Sequence, residues 1–185
     1  MFLRMLIASL VLAAPAVAAD TTSPYVGQES REIKSLSAQE IDDYLAGKGM
    51  GLAKAAELNG YPGPAHVLEL SEELDLSAEQ RTKTEALFAK MERSAIALGT
   101  KLVQEERVLD RLFASRTVDE ASLSETLTRI GALQARLRQA HLAAHLEQTA
   151  LLSPGQVARY FALRGYGAGA AEERPGNGHH GHHGH

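Results

Sequence analysis

No proline falls between Ala78 and Leu151, and apolar residues recur through that whole stretch at helical spacing. In the first half Leu87, Met91, Ala95, Leu98, Leu102, Leu109 and Leu112 follow one another at intervals of three, four or seven. In the second half Leu123, Leu127, Ile130, Leu137 and Ala144 do the same. Each set makes a narrow seam on an amphipathic helix. Ala, Leu, Glu, Arg and Gln dominate the stretch and β-branched residues are sparse, which favours helix on propensity as well. The segment Ser115-Arg116-Thr117 is the single break. A connection that short makes two long helices antiparallel neighbours. The pattern predicts one helix from Ala78 to Ser115 and a second from Val118 to Leu151. At about 1.5 Å per residue each would run roughly 50 Å. A hairpin so long and thin buries little surface by itself, so dimerisation or short helices folding back onto it are expected.

Helix starts carry one repeated device. Ser37-Ala38-Gln39-Glu40, Ser77-Ala78-Glu79-Gln80, Thr117-Val118-Asp119-Glu120 and Ser153-Pro154-Gly155-Gln156 all have the form of a capping box. There a side-chain oxygen caps the amide three residues on, and an acid or amide reaches back. Leu36, Leu76 and Leu152 precede three of them, placed to staple the chain onto the first turn. Pro154 stands at the first helical position, where it has no hydrogen bond to lose. Short helices are predicted over 38–46, 52–58, 64–74 and 154–163. Gly47-Lys48-Gly49-Met50-Gly51 reads as a hinge between two of them. Tyr61-Pro62-Gly63-Pro64 forces an extended turn, because a residue before proline avoids helical backbone.

The two ends are of different character. Met1 to Arg4 is a short positive region, Met5 to Ala14 is apolar, and Ala16-Val17-Ala18 is a small-x-small cleavage motif, which together form a secretory leader over 1–19. The apolar run is too short to span a membrane. With no cysteine there are no disulfides, thiolate metal sites or lipidated N-terminal cysteine. An exported bacterial protein of the periplasm is the expectation. The net charge of −4 includes Arg4 of the leader and gives no basic stripe for nucleic acid. Residues 20–36 are expected to be disordered, 37–165 to form one helical domain, and 166–185 to be a flexible Gly/His-rich tail. His179, His180, His182, His183 and His185 are spaced only by Gly181 and Gly184. Such density of imidazole points to zinc, copper or nickel.

Leu76-Ser77-Ala78-Glu79-Gln80 and Leu152-Ser153-Pro154-Gly155-Gln156 flank the hairpin at its two ends. In an exported helical chain, this pair resembles the paired Leu-Thr-x-x-Gln motifs of the Spy/CpxP family of periplasmic proteins, with Ser in place of Thr in both copies. The resemblance covers roughly residues 64–164. The histidine-rich end is similar to the zinc-resistance-associated and heavy-metal-sensor branch. The resemblance implies an all-α, often hook-shaped dimer. It also implies service as an ATP-independent chaperone of unfolded proteins, a partner restraining an envelope sensor kinase or anti-sigma factor, or a metal sensor or buffer.

The candidate chemistry is metal binding. His141 and His145 stand one turn apart on one helical face, a common way to offer two ligands to one ion. His66 lies ten residues before the first Leu-Ser-x-x-Gln motif, much as His141 lies before the second. If its short helix folds over the base of the hairpin, His66 meets His141 and His145. Glu69 and Glu73 share a helical face with His66 and could add a carboxylate; Glu92 is a rival oxygen ligand. Such a set suits zinc first, and nickel, cobalt or copper. No nucleophile motif, phosphate loop or His-Glu-x-x-His is present, so an enzyme is not expected. The sequence therefore predicts a periplasmic transition-metal-binding protein of heavy-metal or envelope-stress tolerance.

Overall fold

The computed structural model describes residues 22–166; residues 1–21 and 167–185 lie outside them. Every regular element among the described residues is helical: a 3-10 turn at Gln28–Ser30, then α1 Ala38–Leu45, α2 Lys54–Glu57, α3 Pro64–Glu69, α4 Ala78–Ala114, α5 Glu120–Leu151 and α6 Pro154–Leu163. The long pair, α4 and α5, packs as the expected antiparallel hairpin. Thr84 meets Gln148 and Lys90 meets Glu147 near its base, while Arg129 meets Glu105 towards its tip.

The apolar seam is the hairpin's glue. Ala95 and Leu102 of α4 are buried with Ile130 and Leu137 of α5, and Leu98, Leu109 and Leu133 pack against them. Leu127, expected on the seam, is 47% exposed. Thr126 takes the buried position instead, its hydroxyl satisfied by the carbonyl of Ser122, so the seam is one residue out of register there. At Gly99 the C-terminal end of α1 comes so close that a Cβ would stand 2.2 Å from the carbonyl oxygen of Tyr44. Only glycine permits that approach.

Three of the expected caps are present as full capping boxes, at Ser37, Ser77 and Ser153. The fourth is displaced. Asp119, not Thr117, caps α5, with Ser122 as the reciprocal partner. Thr117 is occupied in the turn, its hydroxyl 2.8 Å from that of Ser115, and Arg116 takes a left-handed backbone that closes α4.

The two Leu-Ser-x-x-Gln motifs meet at the base of the hairpin. Gln80 Nε2 donates to Gln156 Oε1 (2.9 Å) and Gln156 Nε2 donates to Gln80 Oε1 (3.0 Å). Gln80 also donates to the carbonyl of Leu151, and Gln156 to that of Leu74. Beside this pair Val67, Leu74, Leu152 and Tyr160 form a second core.

Within segment 20–36, residues 32–36 are held against α4, contrary to expectation. Ile33 and Leu36 are buried with Val103, and three polar contacts clamp the strap: Ser35 to Glu106, Lys34 to Asp110 and Glu32 to Arg107. Two buried aliphatic side chains suffice because the long exposed flank of α4 offers a surface to bury them on. The helix expected over 64–74 stops at Glu69, and turns carry the chain to Ser77.

Candidate metal site

Short elements α2 and α3, with the glycine-rich loop between α1 and α2, close over the lower third of the hairpin. They enclose a cavity of about 450 Å³ against α4 and α5. His141 and His145 face it from α5, Met91 and Glu92 from α4, His66 from α3 and Glu57 from α2. The fold thus brings His66, His141 and His145 to one cavity, which Glu92 also lines. Glu69 is not among the lining residues. It is exposed and pairs with His66 Nδ1 at 2.8 Å on the solvent side. Glu73 falls beyond the end of α3 and is exposed, so the face it was expected to share with His66 does not extend that far. His179, His180, His182, His183 and His185 lie outside the described residues.

His141 is 5% exposed, and its Nε2 is buried without a hydrogen-bond partner. Burial, with His145 as a lesser cause, holds its pKa below the usual histidine value. The ring is therefore neutral at pH 7, the form that ligates metal. His145 is oriented by the backbone. Its Nδ1 lies 2.7 Å from the carbonyl oxygen of Tyr61, which can only accept, so Nδ1 carries the proton. In the neutral ring Nε2 then holds the lone pair, and a carbonyl contact of this kind is how metal-binding histidines are usually steadied. Gly63 makes room for the ring: a Cβ there would stand 2.8 Å from His145 Cε1.

Glu57 was not singled out in the sequence. Its side chain is 13% exposed, and its Oε1 accepts hydroxyl hydrogens from Tyr160 at 2.6 Å and Tyr166 at 3.1 Å. Arg164 Nε stands 3.7 Å from the same oxygen. Oε2 is buried without a hydrogen bond, 3.7 Å from His145 Nδ1. Burial first, then the bond to Glu57, pushes the Tyr160 hydroxyl well above its ordinary pKa, so it remains a donor.

Buried polar atoms without partners are rare because each costs desolvation energy, about 1–3 kcal/mol. The described residues have three: Glu57 Oε2, His141 Nε2 and Gln148 Oε1. The first two belong to residues lining one cavity and are metal-ligating atom types. In the present arrangement no three His, Asp or Glu side chains among the described residues converge closely enough to grip an ion. The donor set fits a transition metal in kind, and closing on one requires side-chain rotation.

The described residues form an all-α hairpin with a cavity lined by imidazoles and carboxylates. The match to a known family is narrower. Residues 51–159 match the family described as heavy-metal resistance, and the chain belongs to that family. The matched span contains both Leu-Ser-x-x-Gln motifs and all of the cavity's histidines, so the resemblance read from the motifs holds. No curated protein and no solved structure matches the chain. No helix among the described residues is long and apolar enough to cross a membrane.

Proposed function

We propose that the protein serves heavy-metal resistance in the periplasm by capturing a transition-metal ion in this cavity, with His141, His145 and Glu57 as ligands. His66 and Glu92 stand where they could complete the shell. The observation that carries the reading is the pair of buried, unpartnered atoms, His141 Nε2 and Glu57 Oε2, on residues lining one cavity beside a backbone-steadied His145. Nitrogen and oxygen donors of this kind suit zinc, nickel, cobalt and copper(II). The tail histidines bind further ions more weakly on this reading, and the working form is a dimer, which light scattering checks.

The test uses the full chain with its five tail histidines changed to serine, so that the cavity is read alone. The chain has no tryptophan, and the hydroxyls of Tyr160 and Tyr166 both bond to Glu57, so tyrosine emission reports on that carboxylate. Zinc, nickel, cobalt or copper should change that emission with one ion per chain. His141→Ala and Glu57→Gln should each weaken binding by about tenfold or more. Emission and melting temperature that ignore all four metals at saturation would refute the reading, because a ligand binding only the folded state must stabilise it.

A further inference from the structure

The chain has four methionines, and two of them, Met1 and Met5, lie in the leader sequence. The other two, Met50 and Met91, both line the cavity of His141 and His145. They reach it from different elements. Met91 comes from the middle of α4 and is only partly buried, although its spacing placed it on the apolar seam. Met50 comes from the loop between α1 and α2, where it sits between Gly49 and Gly51 with a left-handed backbone, φ 45°. An unbranched, bulky residue rarely occupies that conformation, and strained positions of this kind cluster at ligand clamps. Neither side chain belongs to a buried core cluster.

A thioether is an uncharged, polarizable donor. It adds little to the affinity of a hard or borderline divalent ion and much to that of a soft monovalent one. Imidazole nitrogen is compatible with both. We propose that the same cavity takes a soft monovalent cation, copper(I), through the thioethers of Met50 and Met91 together with the His141 imidazole. This rests on the reading of the cavity as a metal site, and adds the two sulfur ligands and the class of ion. Glu57 and His145 then serve the divalent ions, so the cavity offers two overlapping donor sets. Silver(I) is the probe, being redox-inert and of the same charge and softness.

The experiment uses the full chain with its tail histidines changed to serine, labelled at the methionine methyl carbons, in chloride-free buffer. Silver(I) should shift the Met50 and Met91 methyl signals together and saturate at one equivalent. The double variant Met50→Leu/Met91→Leu, which conserves volume and so keeps the fold, should bind silver about tenfold or more weaker while keeping its zinc affinity. Methyl signals indifferent to silver, or a double variant that binds silver as tightly as its parent, would overturn the proposal. A shift confined to Met91 removes Met50 and with it the two-thioether site. Zinc bound normally alongside unresponsive methyls brings down the sulfur ligands alone. Failure of zinc, nickel, cobalt and copper(II) as well brings down the reading of the cavity.

Discussion

The two ends of the hairpin differ in how their buried polar groups are satisfied. Towards the tip, the strap of residues 32–36 and the α4–α5 seam bury aliphatic side chains, the buried Thr126 and Glu106 have hydrogen-bond partners, and charged groups such as Lys34, Asp110, Arg107 and Glu32 pair at the surface. Towards the base, beside the apolar core of Val67, Leu74, Leu152 and Tyr160, the interior holds Glu57, His141, Thr84 and Gln148, and all three unpartnered buried atoms of the described residues are there. Apolar packing is the cheaper way to hold two helices together. A base that keeps polar atoms short of partners is arranged for something other than stability, and the tip is not.

The sharpest break between the ends should come from Gly99→Ala. A methyl group driven against the Tyr44 carbonyl must displace the C-terminal end of α1, at a cost of about 3 kcal/mol, while Glu57, His141 and His145, carried by α2 and α5, keep their geometry. Urea denaturation gives the stability and zinc titration gives the site. A large loss of metal affinity in this variant would mean that the ends are not independent. Next in size is Glu57→Ala, which leaves the buried Tyr160 hydroxyl without its acceptor and should cost about 2 kcal/mol. In Glu57→Gln the acceptor remains, so stability should largely return while metal affinity does not.

A smaller effect concerns pH. His141 has a lowered pKa in the folded protein, so below its unfolded value of about 6.5 the unfolded chain binds a proton that the folded one refuses. Stability of the metal-free protein should therefore fall as pH drops below about 6.5 and level off beneath the folded pKa. His141→Gln should flatten that slope, and a slope unchanged by the substitution would contradict the burial argument. The least effect is expected from Lys90→Ala. Its pairing with Glu147 is at the surface, and thermal melts of the variant and parent should superimpose.

Legibility in the sequence followed the range of the interaction. The capping boxes at Ser37, Ser77 and Ser153 were readable because each is complete within four residues. The α5 cap was misplaced because Thr117 and Asp119 are both good caps, and the choice is made by the turn that Ser115 and Arg116 need. His141 and His145 were visible through helical spacing, and His66 through its place relative to the motifs. Glu57 left no local trace. What makes it notable is its meeting with His145 on α5 and with Tyr160 and Tyr166 in and beyond α6, far along the chain. The strap was missed for a similar reason, since Ile33 and Leu36 are too few to show a period.

The crossed amides of Gln80 and Gln156 have a consequence for motion. Each glutamine closes its own helix start and at the same time holds the other's, so neither helix can fray from this end alone. Amide hydrogens in the first turn of α4 and along α6 should then exchange in one cooperative opening rather than residue by residue. Because α6 and the turn after it carry Tyr160 and Tyr166, that opening also withdraws both hydroxyls from Glu57. The rate at which the base opens would therefore set how fast the carboxylate can change partners, and a helix cap becomes a clock for the site.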